Sequence, residues 1–203
     1  MHPEEFHVCY FELKEYLINS RDKCTTFLKA LTRAIKEGFP VDYVPQTNEF
    51  TLLTNSIYLR KANAAKMLLD AGASVDVMCG DKTLLICAVQ TCKKYRFEFE
   101  VLESMIDRSQ DINACDRYGK TAFDRLCQRF IYSDKGDREF YFPIIDKFLN
   151  AGAEAKLALA SDIPKTADWA IENADVLKQY IVRQSELKKE LSSKYSSCYD
   201  YEL

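Results

Sequence analysis

Glycine is scarce, with six in 203 residues, and neither G-x-G-x-x-G nor G-x-x-x-x-G-K-[ST] occurs. The glycine-rich loops that cradle dinucleotides and nucleoside phosphates are therefore not expected. Histidine is scarcer still: His2 and His7 are the only two, both at the amino end. Nucleophilic triads commonly take their base from histidine, and the rest of the chain has none to offer. Neither catalysis nor a cofactor is expected. A basic excess is missing too, since 28 Lys and Arg face 31 Asp and Glu for a formal charge of −3. Such a balance gives no electrostatic footprint for a nucleic-acid backbone. Long apolar runs are also absent. "FHVCYF" stops at Glu12, too soon for a signal core or a bilayer span, and "MHPEEF" puts acids where a signal would carry Lys or Arg. The expectation is a cytoplasmic protein with no membrane partner.

What the chain does have is apolar side chains, 47% of residues, with 12% aromatic, enough for a packed interior along most of its length. Eight cysteines include no C-x-x-C pair, and most lie far from both histidines, which argues against a zinc site. Reduced thiols, several of them serving as small buried apolar groups, are the expected state.

One phrase recurs. "LLDAGASVD" at 68–76 has relatives in "KEGFPVD", "DRSQDIN" and "LNAGAEAK". Gly38 and Gly72 lie 34 residues apart, Gly152 holds the same place in a later copy, and Val41-Asp42, Val75-Asp76 and Ile112-Asn113 follow in step. Between these phrases a second marker appears: Thr51, Thr83 and Thr121, with Thr166 as a degenerate fourth, each at the front of an apolar run. A threonine there satisfies a backbone N–H of a helix's first turn. Glycine closes the second helix because the residue after it commonly takes a left-handed backbone. Met67-Leu68-Leu69, Val101-Leu102 with Met105-Ile106, and Ile144-Ile145 with Phe148-Leu149 give those second helices apolar faces. A single unit cannot hide its own apolar face, so the units must stack.

These residues resemble the ankyrin repeat family. Its T-P-L-H-x-A and A-G-A-x-V-N markers appear as T-L-L-I-C-A and A-G-A-S-V-D across residues 71–88. The family's proline is Leu52, Leu84 and Ala122 here, and its histidine is Thr54, Ile86 and Asp124. The resemblance, over roughly residues 24–182, implies an all-α ankyrin-repeat solenoid of stacked helix-turn-helix units with projecting hairpin fingers and degenerate terminal caps. The expected organisation is a capping repeat over 1–42, repeats and a closing cap over 43–182, and a helical extension with a frayed tail over 183–203. The amino-terminal cap, with Phe6, Cys9, Tyr10, Leu13, Tyr16 and Leu17 at helical spacing, is expected to keep a polar outer face. Residues 166–182 read as a closing helix pair with Trp169 buried, and surplus chain at 131–141 reads as a long loop carrying Tyr132 and Tyr141. A smaller surplus, Lys93-Lys94-Tyr95-Arg96, reads the same way.

The same resemblance implies that fingers and first helices grip a protein partner. By offset from each threonine these positions are Asn48, Phe50 and Tyr58, then Met78, Lys82 and Gln90, then Arg117, Tyr118, Lys120, Gln128 and Arg129. Aromatic, Met and Arg side chains are enriched at the energetic centres of interfaces. A non-catalytic interaction module, monomeric on its own, is the leading expectation. The alternatives are an inhibitor that blocks a partner enzyme with the 131–141 loop, or a secreted effector acting in host-cell cytoplasm as a mimic of eukaryotic ankyrin proteins.

Overall fold

The computed structural model describes residues 1–19, 25–45, 49–92, 96–154 and 168–196, and it is mostly helical, an all-α architecture with one short hairpin. Asn48, Lys93, Lys94, Tyr95 and Thr166 lie outside the described residues. The chain divides into two compact units, Met1–Ala122 and Phe123–Leu203.

In the first unit a 3-10 turn over Pro3–Glu5 leads into α1 (Phe6–Asn19), followed by α2 (Thr25–Lys36), α3 (Leu52–Tyr58) and α4 (Ala62–Asp70). A hairpin of β1 (Met78–Cys79) and β2 (Lys82–Thr83) precedes α5 (Leu84–Thr91) and α6 (Arg96–Arg108). The helices pair as α1 with α2, α3 with α4 and α5 with α6. First helices touch first helices, α1 to α3 and α3 to α5, while second helices touch second helices, α2 to α4 and α4 to α6. Between these contacts Leu52, Leu53, Leu68 and Leu69 are all 0% exposed, and burying such a side chain is worth about 1.5–3 kcal/mol.

The recurring markers have visible jobs. The Thr51 hydroxyl accepts from Thr54 N–H at 3.1 Å and that of Thr83 from Ile86 N–H at 3.2 Å, capping α3 and α5. Gly38 and Gly72 both sit at φ +90°, where a Cβ would clash with its own backbone. There Gly72 N–H bonds back to Leu69 O and Ala73 N–H to Leu68 O, each at 2.9 Å, closing α4. α3 ends the same way without glycine: Arg60 takes φ +57°, and its guanidinium meets Glu98 at 2.6 Å. In two of the closing phrases the acid reaches forward to the next helix pair. Asp42 accepts from Ser74 N–H at 2.9 Å, and Asp76 accepts from Ser109 Oγ and Gln110 N–H at 3.1 Å. The glycine-free phrase "DRSQDIN" is thus held from outside, by the preceding unit's aspartate.

The outer face of α1 departs from the polar cap expected of it. Val8 is 61% exposed, with Phe11, Tyr16 and Ile18 also open, while Tyr10, Leu13 and Leu17 are its buried residues.

In the second unit, α7 (Ala122–Ile131, of which all but the first residue belongs here) is followed by a 3-10 turn at Lys135–Asp137, α8 (Arg138–Asn150) and α9 (Asp168–Ser196). Three expectations are corrected. The long loop at 131–141 is a short connection over 132–137, because Tyr141 and Phe142 fold into α8 to pack on Phe130, at ring distances of 5.9 and 5.6 Å. Tyr141 is therefore buried rather than offered to a partner. The closing pair is a single 29-residue helix, running without a break through residues 182 and 183. Trp169 is 44% exposed and meets Tyr132 edge-on at 6.2 Å, leaving Ala170, Asn173, Ala174, Leu177 and Ile181 as the buried face of α9. Gly152 closes α8 at φ +86° as the sequence phrase implies.

Asn173 fastens α9 to the connection between α7 and α8. Fully buried, it donates to Ile131 O at 2.9 Å and Ser133 O at 2.8 Å, and its side-chain oxygen accepts from Arg138 Nε at 2.7 Å. Asn173→Ala leaves two buried carbonyls unpaired at about 1–3 kcal/mol each. Urea unfolding followed by fluorescence of Trp169, the chain's single tryptophan, should show a loss of about 2 kcal/mol or more; an unchanged midpoint would mean water replaces the amide.

Candidate interaction surface

The hairpin turns through Gly80 at φ +67° and Asp81. A second finger, closed by a bridge between Cys115 and Thr121, repeats the shape with Gly119 at φ +67°. Its frame is Asp116, a buried residue whose carboxylate accepts from Tyr118 N–H and Lys120 N–H, each at 2.9 Å. The two fingers are tied together: Arg117 Nε lies 2.6 Å from the Asp81 carboxylate, and Arg117 N–H bonds to Asp81 O at 3.2 Å. A half-exposed pair of this kind adds little stability, about 0–1 kcal/mol. Its consequence is positional, fixing the spacing of neighbouring finger tips. The Arg117 guanidinium also lies 4.7 Å from the centre of the Tyr118 ring, which is 61% exposed.

Ahead of and at the end of α3, the Phe50 and Tyr58 rings are 5.8 Å apart, both partly exposed, and on the first finger Lys82 Nζ donates to Gln90 of α5 at 3.1 Å. The Phe50 carbonyl is anchored from below by the Tyr10 hydroxyl, which Asn55 also contacts at 3.1 Å. Burial, and then Glu49, push that phenol up to about 12, so it stays a donor. Within the first unit Phe50 thus meets Tyr58, Lys82 meets Gln90, and Arg117 meets Tyr118 and Asp81, with Lys120 half-buried on the second finger.

Met78 does not join them. Successive strand residues face opposite ways, so Cys79, Lys82's cross-strand partner, turns toward Thr54, 3.7 Å from its sulfur, whereas Met78 with Thr83 faces a separate hollow beside Asp111 and Ala114. Gln128 and Arg129 lie on α7 in the second unit, exposed and half-buried respectively. Arg117, expected among the partner-gripping positions, is already paired within the chain to Asp81. Asp81, Asp116 and Tyr10 were missed by the offset count, because their part is to hold other residues rather than to face outward. Asp116 had a readable signal, an acid three residues before the finger glycine in "DRYG".

Beneath the surface lies a small thiol cluster. Tyr58 hydroxyl sits 3.2 Å from the buried Cys87 sulfur, and Thr54 contacts the buried Cys79. Cys87 is the sulfur drawn down, to about 6, by the hydrogen bond from Cys79 first and from Tyr58 next, against the upward pull of burial. Cys79 and Tyr58 are pushed up in return. Among the described residues no three metal-binding side chains gather, and no helix is long and apolar enough to cross a membrane. No protein-family model matches the chain, and no curated protein matches it by sequence.

A thiol that ionises lower when folded stabilises more as pH rises from about 6 toward its ordinary 9.0, and loses that contribution as pH falls through about 6. Absorbance of thiolate against pH should therefore show one folded-state thiol titrating below the usual range, absent in Cys87→Ser and moved upward in Tyr58→Phe. A titration curve unaltered by Tyr58→Phe would show that the phenol does not stabilise the thiolate.

Proposed function

We propose that this chain is a non-catalytic, cytoplasmic protein-binding module of ankyrin-like helix pairs, monomeric on its own, which holds a folded partner on its fingers and first helices. One observation carries the reading: Arg117 and Asp81 tie consecutive fingers, which holds exposed Tyr118 and half-buried Lys82 in place, and the same reading assigns Gln90, Tyr58 and Phe50 to that surface. Three more features support it. First helices pack on first helices and second on second; threonines cap α3 and α5; and left-handed glycines end α4 and α8. Aromatic groups held partly open, beside cations already paired within the chain, suit a partner whose contact area is mainly apolar. The connection over 132–137 gives little reach into another protein's active site, which favours the finger surface over an enzyme-blocking loop.

Two variants test the surface independently: Tyr58→Ala with Tyr118→Ala, and charge reversal at Lys82, Arg117 and Lys120. Proteins captured from lysate by the wild-type chain should be lost, by about tenfold or more, from both variants. A control reversing Lys188 on α9 should keep them. Equal capture by all four chains would move the binding site elsewhere.

A further inference from the structure

The first helix pair carries a feature that the finger surface does not use. Val8, Cys9 and Tyr16 recur along one side of α1, and Ala30 and Ala34 lie one turn apart on α2; together they floor an open groove of about 600 Å³. The floor is apolar and partly uncovered, with Val8 61% and Tyr16 43% exposed, Cys9 and Ala30 half-buried and Ala34 buried at its base. Ala30 and Ala34 are small enough for another helix to approach closely, since interaxial distance is set by the side chains at the crossing.

The rim has one sign. Among the described residues Glu4, Glu5, Glu12 and Glu37 line it, and the one cationic side chain there, Arg33, is bound to Glu37 at 2.8 Å. The Met1 ammonium is likewise occupied, by the Glu37 carbonyl. Among the described residues Glu4 and Glu12 have no ion-pair partner. The acids are felt on the floor: the Cys9 thiol is raised, by burial first and then by the charges of Glu12 and Glu37. A negative rim repels nucleic acid and anionic lipid, and attracts a basic chain. From Glu4 to Tyr16 the groove runs about 18 Å at 1.5 Å per residue, the length of roughly three helical turns.

We propose that the groove between α1 and α2 is a docking site for a cationic amphipathic helix of a partner protein. Its apolar stripe lies on Val8, Tyr16, Ala30 and Ala34, and its Lys or Arg side chains reach Glu4 and Glu12. This is the helix-in-groove mode of recognition, read by anchors three and four residues apart. It is separate from the finger surface, so either site can fail without the other.

The probe is a fluorescent Lys/Leu peptide of about 14 residues, some 20 Å of helix, with Leu at amphipathic spacing, compared with a scrambled peptide of the same composition. Anisotropy is measured on the full chain near physiological ionic strength, where screening over about 8 Å suppresses diffuse attraction. The amphipathic peptide should bind in preference to the scrambled one. Glu4→Lys with Glu12→Lys, both solvent-facing, and separately Ala30→Arg should each weaken it by about tenfold. Glu139→Lys with Glu186→Lys on the second unit should leave it unchanged. Bound peptide should slow iodoacetamide labelling of Cys9 but not of exposed Cys115, read by mass spectrometry, while circular dichroism confirms that each variant is folded. Equal binding of the scrambled peptide, equal effects of groove and control variants, or an unprotected Cys9 would each overturn the proposal. So would concentration-dependent self-association abolished by Ala30→Arg, which would make a second copy of the chain the occupant.

Discussion

A pair of helices seven and nine residues long cannot shelter four leucines by itself, yet Leu52 and Leu53 of α3 and Leu68 and Leu69 of α4 see no solvent. Their cover comes from the pairs on either side, α1 with α2 and α5 with α6. Everything else in the first unit follows from that dependence. Short helices are marginal alone in water, so each must start and stop where its neighbour requires. Thr51 and Thr83 fix the starts, Gly38 and Gly72 fix the ends, and Asp42 and Asp76 fasten each ending to the loop of the following pair. A shift in one register would misplace the carboxylate as well as the leucines.

These devices were legible in the sequence to different degrees. The glycines and threonines act through the backbone within a few residues, so their spacing alone located helix ends and starts. The aspartates were visible only as a recurring acid; their partners lie 32 to 34 residues on, in the next pair. Arg60 was not legible at all. Nothing local marks a left-handed arginine, and its position is held by Glu98, 38 residues away. The 131–141 segment misled for the opposite reason. Asp134, Gly136 and Asp137 are true turn formers, but Phe130, Tyr141, Phe142 and Tyr180 gather into an aromatic cluster that draws the flanking residues into helix. Tertiary packing there outweighs local propensity.

The interaction surface was half legible for a related reason. Counting offsets from each threonine finds positions, not directions, and a strand reverses direction at every residue. Met78 and Lys82 therefore share a finger but not a face. The count also cannot say which outward residues are already engaged. Arg117 is, and its engagement with Asp81 converts an apparent binding cation into a spacer between fingers.

That distinction separates the two surfaces of the first unit physically. On the fingers, charged and polar groups are committed within the chain: Arg117 to Asp81, Lys82 to Gln90, Tyr58 to Cys87. Such a surface loses little rotamer freedom when a partner arrives, so its shape and exposed rings do the selecting. Along α1 the case is reversed. Glu4 and Glu12 keep their charge uncompensated beside a partly uncovered apolar floor, so attraction acts before contact and geometry is completed only by the incoming helix. The first unit can hold both because the buried seam encloses α3 and α5 almost completely but takes only Tyr10, Leu13 and Leu17 of α1, which leaves the fingers and the rest of α1 free to vary.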